Sequence, residues 1–357
     1  MATENLCGEN HTFSHKSHDR SFEERKADHI RLALQARMQA EGRSGLDQIN
    51  LVHEALPDLD FHEVSLATQL FERELSAPLF ISSMTAGHVG SVGLNLILAR
   101  VAENRGWAMG VGSQRRQLFD QAADSEWLEL RKAAPKLMLF GNIGLAQLIQ
   151  ASVEDIRRLA DSLEAAAMIV HLNPLQECLQ PEGTPRFKGG LKALERLARE
   201  LGRPVIVKET GCGFSRATLS RLKGLGIAAV DIGGLGGTHW GRIEGGRATS
   251  DEKLKRTSET FRDWGIPTVE ALVAAVQLKP DYAVWASGGL RSGLDAAKTL
   301  AMGACMAGFA KPLIEAALGS EERLTQEMAI IEYELKTALF CTGVKDVAQM
   351  REMKAWR

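Results

Sequence analysis

Eight short, nearly unbroken apolar runs punctuate the chain from residue 78 onward. They are 79-LFISSM-84, 107-WAMGVG-112, 137-LMLFGNI-143, 166-AAMIVHL-172, 205-VIVKE-209, 228-AAVDIGG-234, 282-YAVWASGG-289 and 304-ACMAGFA-310. Runs of this kind suit parallel strands buried on both faces. Between them lie stretches with apolar residues at helical spacing, such as 191-LKALERLARELG-202 and 294-LDAAKTLAMG-303. The first ends on a glycine where a helix C-cap sits. Eight such units over about 250 residues predict an α/β protein of the (β/α)₈ TIM-barrel class. A doubly wound open sheet is the alternative.

Other segments attach to that frame. Residues 60–78, DFHEVSLATQLFERELSAP, alternate and turn like a hairpin closing the barrel floor. Residues 21–40, SFEERKADHIRLALQARMQA, predict an amphipathic helix outside the barrel. The polar residues 1–20 are expected to be a disordered extension, and 21–357 a single domain. Residues 235–263 predict a long loop, Gly-rich at first, covering the end of the sixth strand.

Composition removes some function classes. A net charge of −2 and a pI near 6.5 argue against a nucleic-acid partner. Cysteines stand at 7, 178, 212, 305 and 341, an odd number without a C-x-x-C pair. A disulfide framework or zinc site is therefore not expected, and a reducing, cytoplasmic setting is. No apolar run reaches the ~18 residues of a membrane span. The N-terminus lacks the apolar core of a signal peptide, and His11, His15 and His18 read as part of a solvated tail.

The chemistry gathers at the C-terminal ends of the runs, where barrels of this kind carry their catalytic groups. In order, those ends hold Thr85, then Ser113 with Arg115, Asn142, and the group 171-HLNPLQE-177. Lys208 with Glu209, Gly236-Gly237-Thr238, Gly288-Gly289-Leu290-Arg291 and Ala310-Lys311 follow. The last two, each opening a helix, predict a phosphate site in which backbone N–H groups and a helix N-terminus meet the anion; Thr238 adds a hydroxyl. Lys208 is a Schiff-base candidate or the partner of a cofactor that gains negative charge, because burying an unpaired lysine is costly. A salt bridge to Glu209 is disfavoured, since adjacent strand residues point to opposite sides. Arg25, Lys26 and His29 share a helix face and could join Arg115 in a second anion site.

Taken together, these motifs resemble the type 2 isopentenyl-diphosphate isomerases, a family of flavin-dependent barrels. The resemblance is carried by 25-RKADHI-30, 77-APLFISSMTAG-87, 110-GVGSQRR-116, 141-GNIG-144, 171-HLNPLQE-177 and 207-VKETGCGFS-215. It continues through 233-GGLGGTHW-240, 242-RIEGGR-247 and 287-SGGLRSGLDAAK-298, in order over roughly residues 21–345. Two departures are Ala86, where the family has glycine, and His239, where a smaller polar residue is expected.

The resemblance implies FMN, reduced in the active form, as cofactor. Its ring would lie near Ser83, Met84, Thr85, Ser113, Asn142 and Lys208. Its phosphate would be held by Thr238, Gly289, Leu290, Arg291, Ala310 and Lys311. The substrate, an allylic or homoallylic diphosphate, would meet Arg25, Lys26, His29, Ser113, Gln114, Arg115 and Gln176. Glu177 would bind Mg²⁺ that bridges the diphosphate, a fitting role for a hard oxygen ligand. Gln176, His171 and Asn173 would form the catalytic group for a 1,3-proton shift, and Glu244 would orient a neighbour. The resemblance also implies NADPH as reductant and a homo-oligomer, a tetramer or octamer. A competing reading is a flavin-dependent 2-hydroxy-acid oxidoreductase using His239 as base and Arg242 as carboxylate clamp. It leaves Gln176, Glu177, Arg25 and Lys26 without roles. A flavin barrel without catalysis would not retain a polar rim that is costly to desolvate.

Overall fold

A computed structural model of the chain describes residues 25–84, 89–248, 250–352 and 356–357. The expected disordered extension and Thr85 lie outside the described residues.

All eight apolar runs form strands of one closed parallel barrel. They are β3 (Leu79–Ile81), β4 (Ala108–Gly110), β5 (Met138–Gly144) and β6 (Ala167–Leu172), followed by β7 (Val205–Glu209), β8 (Ala229–Asp231), β9 (Ala283–Ala286) and β10 (Met306–Phe309). Neighbours pair in chain order and β10 closes on β3. The open-sheet alternative is thereby excluded.

Side chains alternate across each strand, so every second residue points into the barrel. The inward set Phe80, Met138, Phe140, Ile169, Ile206, Trp285 and Met306 packs into one interior cluster. Trp285 sits at its centre, 5.2 Å from the Phe80 ring and 5.5 Å from Phe140. The opposite faces meet the helices in a larger core.

The predicted floor hairpin is present as β1 (Thr68–Leu70) and β2 (Arg73–Leu75), antiparallel. Leu70 and Leu75 belong to the interior cluster. Phe71, at the hairpin tip with φ +47°, lies 6.3 Å from Phe140 and 6.2 Å from Trp285. The hairpin thus plugs one end of the barrel with apolar side chains and leaves chemistry to the other.

Two elements differ from the sequence expectation. The N-terminal helix does not run to residue 40: helix continues only through 33, and a 3₁₀ turn follows at Ala36–Met38. Gln39 ends it, its amide donating to the Ala33 carbonyl and to Thr238 Oγ1. The backbone then clamps onto the barrel rim through Ala40 N–H to Gly237 O and His239 N–H to Met38 O. The expected long loop at 235–263 holds two helices, Trp240–Arg247 and Glu252–Thr260. Its glycines, poor helix formers, mark close packing instead. A Cβ on Gly245 would stand 1.8 Å from Ser258 Oγ, and one on Gly246 2.7 Å from Met38 Cε.

Candidate active site

The inward alternation continues past the last apolar layer and turns polar at the C-terminal rim. Ser82 and Met84 follow Phe80, Asn142 follows Phe140, His171 and Asn173 follow Ile169, Lys208 follows Ile206, and Asp231 follows Ala229. The strand register sets Gly144 beside His171, His171 beside Lys208, and Lys208 beside Asp231.

These groups line a cleft with two connected chambers. The larger, about 1090 Å³ and open to solvent, is bounded by Gly237, Thr238, Gly288, Gly289, Leu290, Arg291, Ala310 and Lys311, with Ile30, Ala33 and Leu34 from the N-terminal helix. The smaller, about 770 Å³, is bounded by Arg25, Ser113, Arg115, Asn142, His171, Asn173, Gln176 and Glu177. Lys26, His29, Ser83, Met84, Lys208, Thr210 and Trp240 face both.

The wall of the larger chamber is largely main chain. Gly288 and Gly289 have φ of +102° and +89°, accessible at little cost only to glycine. A Cβ on Gly288 would lie 2.2 Å from Gly234 O, and one on Gly289 2.6 Å from Gly236 C. The turns after β8 and β9 are therefore pressed together. The helix Lys311–Gly319 begins at the same wall, and Lys311 Nζ reaches Glu315 at 3.2 Å. The Arg291 backbone N–H is taken by Asp295, whereas its Nη2 is buried without an acceptor.

In the smaller chamber the side chains hold one another in defined orientations. Asn142 Nδ2 donates to the Val111 carbonyl, so its Oδ1 faces His171 Nδ1 at 2.9 Å. His171 therefore carries its proton on Nδ1 and presents the Nε2 lone pair to the cleft. Burial, with the charges of Lys26 and Lys208, pushes its pKa down to about 3, so the ring is neutral at pH 7. Asn173 Nδ2 donates to Gln176 Oε1 and to Glu177 Oε1, both at 3.1 Å. The Thr184 backbone N–H donates to Glu177 Oε2.

Gln176 Nε2 in turn donates to Glu244 Oε1 at 2.9 Å. Glu244 is fully buried and also meets His29 Nε2 at 3.0 Å and Arg247. Burial pushes its carboxyl up, but the hydrogen bonds from His29 and Gln176 and the charges of His29 and Arg247 outweigh that and hold it down at about 2. Arg247 continues to Glu182 at 2.8 Å, which also stands 3.7 Å from Arg25. Burial and the neighbouring Arg25 charge lower Lys26 to about 8. Every described residue expected at the cofactor or the substrate therefore borders this cleft except Gln114.

Gln114 belongs to the scaffold. Its Nε2 donates to Gln117 Oε1 and the Leu159 carbonyl, and its Oε1 accepts the Asn142 N–H. It braces Asn142 from behind and is 1% exposed. Lys208 has a partner that the sequence reading did not name: Asp231, at 2.8 Å. Glu209 points the other way, as the alternation requires, and its Oε2 accepts the backbone N–H groups of Gly211, Cys212 and Gly213. Trp240, Thr210, Gln147 and Gln180 also border the cleft and had no distinguishing sequence signal beyond the places of Trp240 in GGLGGTHW and Thr210 in VKETGCGFS.

The pair needed by a hydroxy-acid oxidoreductase is not in this cleft. His239 is fully buried; Nε2 meets the Trp264 carbonyl at 2.9 Å and Nδ1 accepts the Arg242 N–H, capping the helix Trp240–Arg247. The Arg242 guanidinium is spent on the Arg37, Gln39 and Arg262 carbonyls and on Asp263.

Comparison with known proteins identifies the family and the fold. The sequence profile of the FMN-dependent dehydrogenase family matches residues 26–163 and 177–357. An isopentenyl-diphosphate delta-isomerase of Legionella pneumophila is 52% identical over 331 residues, covering 93% of this chain and 97% of the relative. The chain belongs to the isopentenyl-diphosphate delta-isomerases of the FMN-dependent barrel family. Members of the isomerase group from Bdellovibrio bacteriovorus and Archaeoglobus fulgidus are 52% and 39% identical, covering 93% and 94% of this chain and 97% and 96% of their own. A solved structure of mandelate oxidase superposes with a TM-score of 0.65 at 17% identity, over 94% of this chain and 97% of that one. That likeness bears on the fold alone. This chain and the oxidase thus share a barrel.

Proposed function

We propose that this protein interconverts isopentenyl and dimethylallyl diphosphate by a 1,3-allylic proton shift, with reduced FMN and Mg²⁺ bound and NADPH as the reductant. The observation that carries this reading is the smaller chamber. Arg25, Lys26 and Arg115 border the same space as Gln176 and Glu177, which puts cations for a diphosphate beside an amide and a carboxylate.

FMN fits the residues present. The larger chamber offers a main-chain cradle with Thr238, Arg291 and Lys311 at its edge, and Arg291 Nη2 is buried with no acceptor of its own. Thr238, Gly289, Leu290, Arg291, Ala310 and Lys311 would hold the phosphate. The ring would meet Ser83, Met84, Ser113, Asn142 and Lys208, with Thr85 beyond the described residues. Among the described residues no three His, Cys, Asp or Glu side chains converge as a metal cage. Glu177, a hard carboxylate oxygen donor facing the smaller chamber, would hold Mg²⁺, whose charge would help bind the diphosphate. Bound reduced FMN supplies acid–base chemistry at N5 and negative charge around N1.

The chain's own residues do the rest. Arg25, Lys26 and Arg115 bind and orient the diphosphate. Asn173 and Glu244 hold opposite ends of the Gln176 amide, so its direction toward the allylic carbons is set before substrate enters. An amide is a poor base, so Gln176 positions or relays the proton rather than storing it. His171 offers a neutral Nε2 acceptor, and Trp240, bordering both chambers, screens the reacting carbons from water.

The test is incubation with dithionite-reduced FMN, Mg²⁺ and isopentenyl diphosphate, followed by product analysis. Dimethylallyl diphosphate is expected. Its absence together with turnover of lactate or glycolate would sink this reading.

A further inference from the structure

Asp231 is 1% exposed and borders neither chamber. Its Oδ2 stands 2.8 Å from Lys208 Nζ, and its Oδ1 accepts the Ser287 hydroxyl at 2.6 Å. Ser287 Oγ also accepts from Lys208 Nζ at 3.1 Å. The strand register places Lys208 directly beside Asp231, and Ser287 follows inward-facing Trp285 by two residues. A closed triangle of lysine, aspartate and serine therefore underlies the junction of the two chambers, and only Lys208 and Ser287 reach the cleft surface. The Glu209 carboxylate cannot substitute, because it points outward to the 211–213 loop.

A lone lysine would present a full positive charge to a bound ring. A lysine backed by a buried carboxylate presents a weaker field that falls off faster with distance, and low surrounding polarity makes the difference matter. We propose that Asp231 is a positioning residue for Lys208: it holds the ammonium in place and sets how much of its charge the bound flavin feels. The proposal rests on the FMN reading above. Asp231 thereby limits how strongly the anionic reduced ring is favoured over the oxidised one, which leaves the ring free to give and take a proton.

The experiment is spectroelectrochemical titration of FMN bound to the full-length protein, to Asp231→Asn, to Lys208→Met, and to the double variant. Asp231→Asn uncovers the lysine charge and is expected to raise the reduced-to-oxidised ratio at fixed potential at least tenfold, about 30 mV for a two-electron couple. In the Lys208→Met background the same substitution is expected to change the ratio less than twofold. The double variant removes both charges of the buried pair together, a change proteins tolerate better than the loss of one partner. Asp231→Ser, whose smaller side chain leaves room for a water, carries the same prediction where Asp231→Asn does not fold. Normal FMN binding with an unmoved potential overturns the proposal alone, as do equal shifts in both backgrounds. An unmodified protein that binds no FMN overturns the function reading and this inference with it.

Discussion

Glu244→Gln is the sharpest perturbation of the hydrogen-bond system around the cleft. Glu244 receives His29 and Gln176 on Oε1 and Arg247 on Oε2, all donors. A glutamine of the same shape offers one acceptor and turns its NH₂ group toward a group that is itself a donor. It also leaves Arg247 with Glu182 as its remaining ion-pair partner. A carboxyl lowered from 4.5 to about 2 is worth ~3 kcal/mol of native stability at about 1.4 kcal/mol per unit. The folded value lies below the unfolded one, so this stability is fully present above pH ~5 and is lost as pH falls toward about 2. Urea unfolding should thus find Glu244→Gln less stable by ~3 kcal/mol at pH 7, with less than half that gap left at pH 3. Turnover should fall as well, because the Gln176 amide is then firmly held only at its Asn173 end. A variant as stable as the parent at pH 7, or a gap that does not narrow in acid, would refute the role assigned to Glu244.

Three further outcomes are expected. Because burial and Arg25 lower Lys26 to about 8, diphosphate binding must carry a proton onto it at higher pH. KM for isopentenyl diphosphate should climb above pH 8, up to tenfold per unit, and the climb should vanish in Lys26→Arg; a flat profile in the parent contradicts this. Glu177→Gln should raise the Mg²⁺ concentration needed for activity at least tenfold and leave FMN binding intact, as read by fluorescence titration, since Glu177 borders only the smaller chamber. Leu75→Ala opens a cavity in the barrel plug and should cost about 2–4 kcal/mol in urea unfolding without changing FMN affinity, because the plug lies at the far end from the cleft.

The barrel was legible because a parallel strand buried on both faces has no choice but to be apolar, and eight such runs leave few architectures. The main-chain wall of the larger chamber was legible for the same kind of reason: SGGLRSG and GFAKP combine backbone freedom with a helix start. Partners supplied from a distance in sequence were not legible. Asp231 sits in plain view in AAVDIGG, yet its meaning depends on facing Lys208 across a strand pair, which requires the register. Gln114, by contrast, stands beside genuine cleft residues in GSQRR, but the chain turns after Ser113 and carries its side chain behind Asn142. The helices within 235–263 were hidden by glycines whose purpose is contact with Ser258 and Met38, not flexibility.

The stretch HLNPLQE shows how local stability is given up for the site. Asn173 occupies the N-cap of the helix Pro174–Leu179, with Pro174 at the first turn. An asparagine there normally accepts a backbone N–H with its side-chain oxygen, worth about 1 kcal/mol. Here no such bond forms. The side chain is turned so that its NH₂ holds Gln176 and Glu177, three and four residues on, which one helical turn brings to the same face. The Asn173 Oδ1 is left buried with no partner. A buried amide oxygen without a donor costs on the order of 1–3 kcal/mol, so the arrangement is a poor cap and a poor core. It is a good holder for two side chains that, in the proposed function, would point at different parts of one small substrate, Gln176 toward carbon and Glu177 toward a diphosphate-bound cation. Asn173→Asp would restore a strong cap acceptor, remove the donor shared by Gln176 and Glu177, and add a negative charge beside Glu177. It should hold or raise thermal stability while lowering kcat at least tenfold. A variant that loses stability and keeps its turnover would show that Asn173 serves the helix rather than the site.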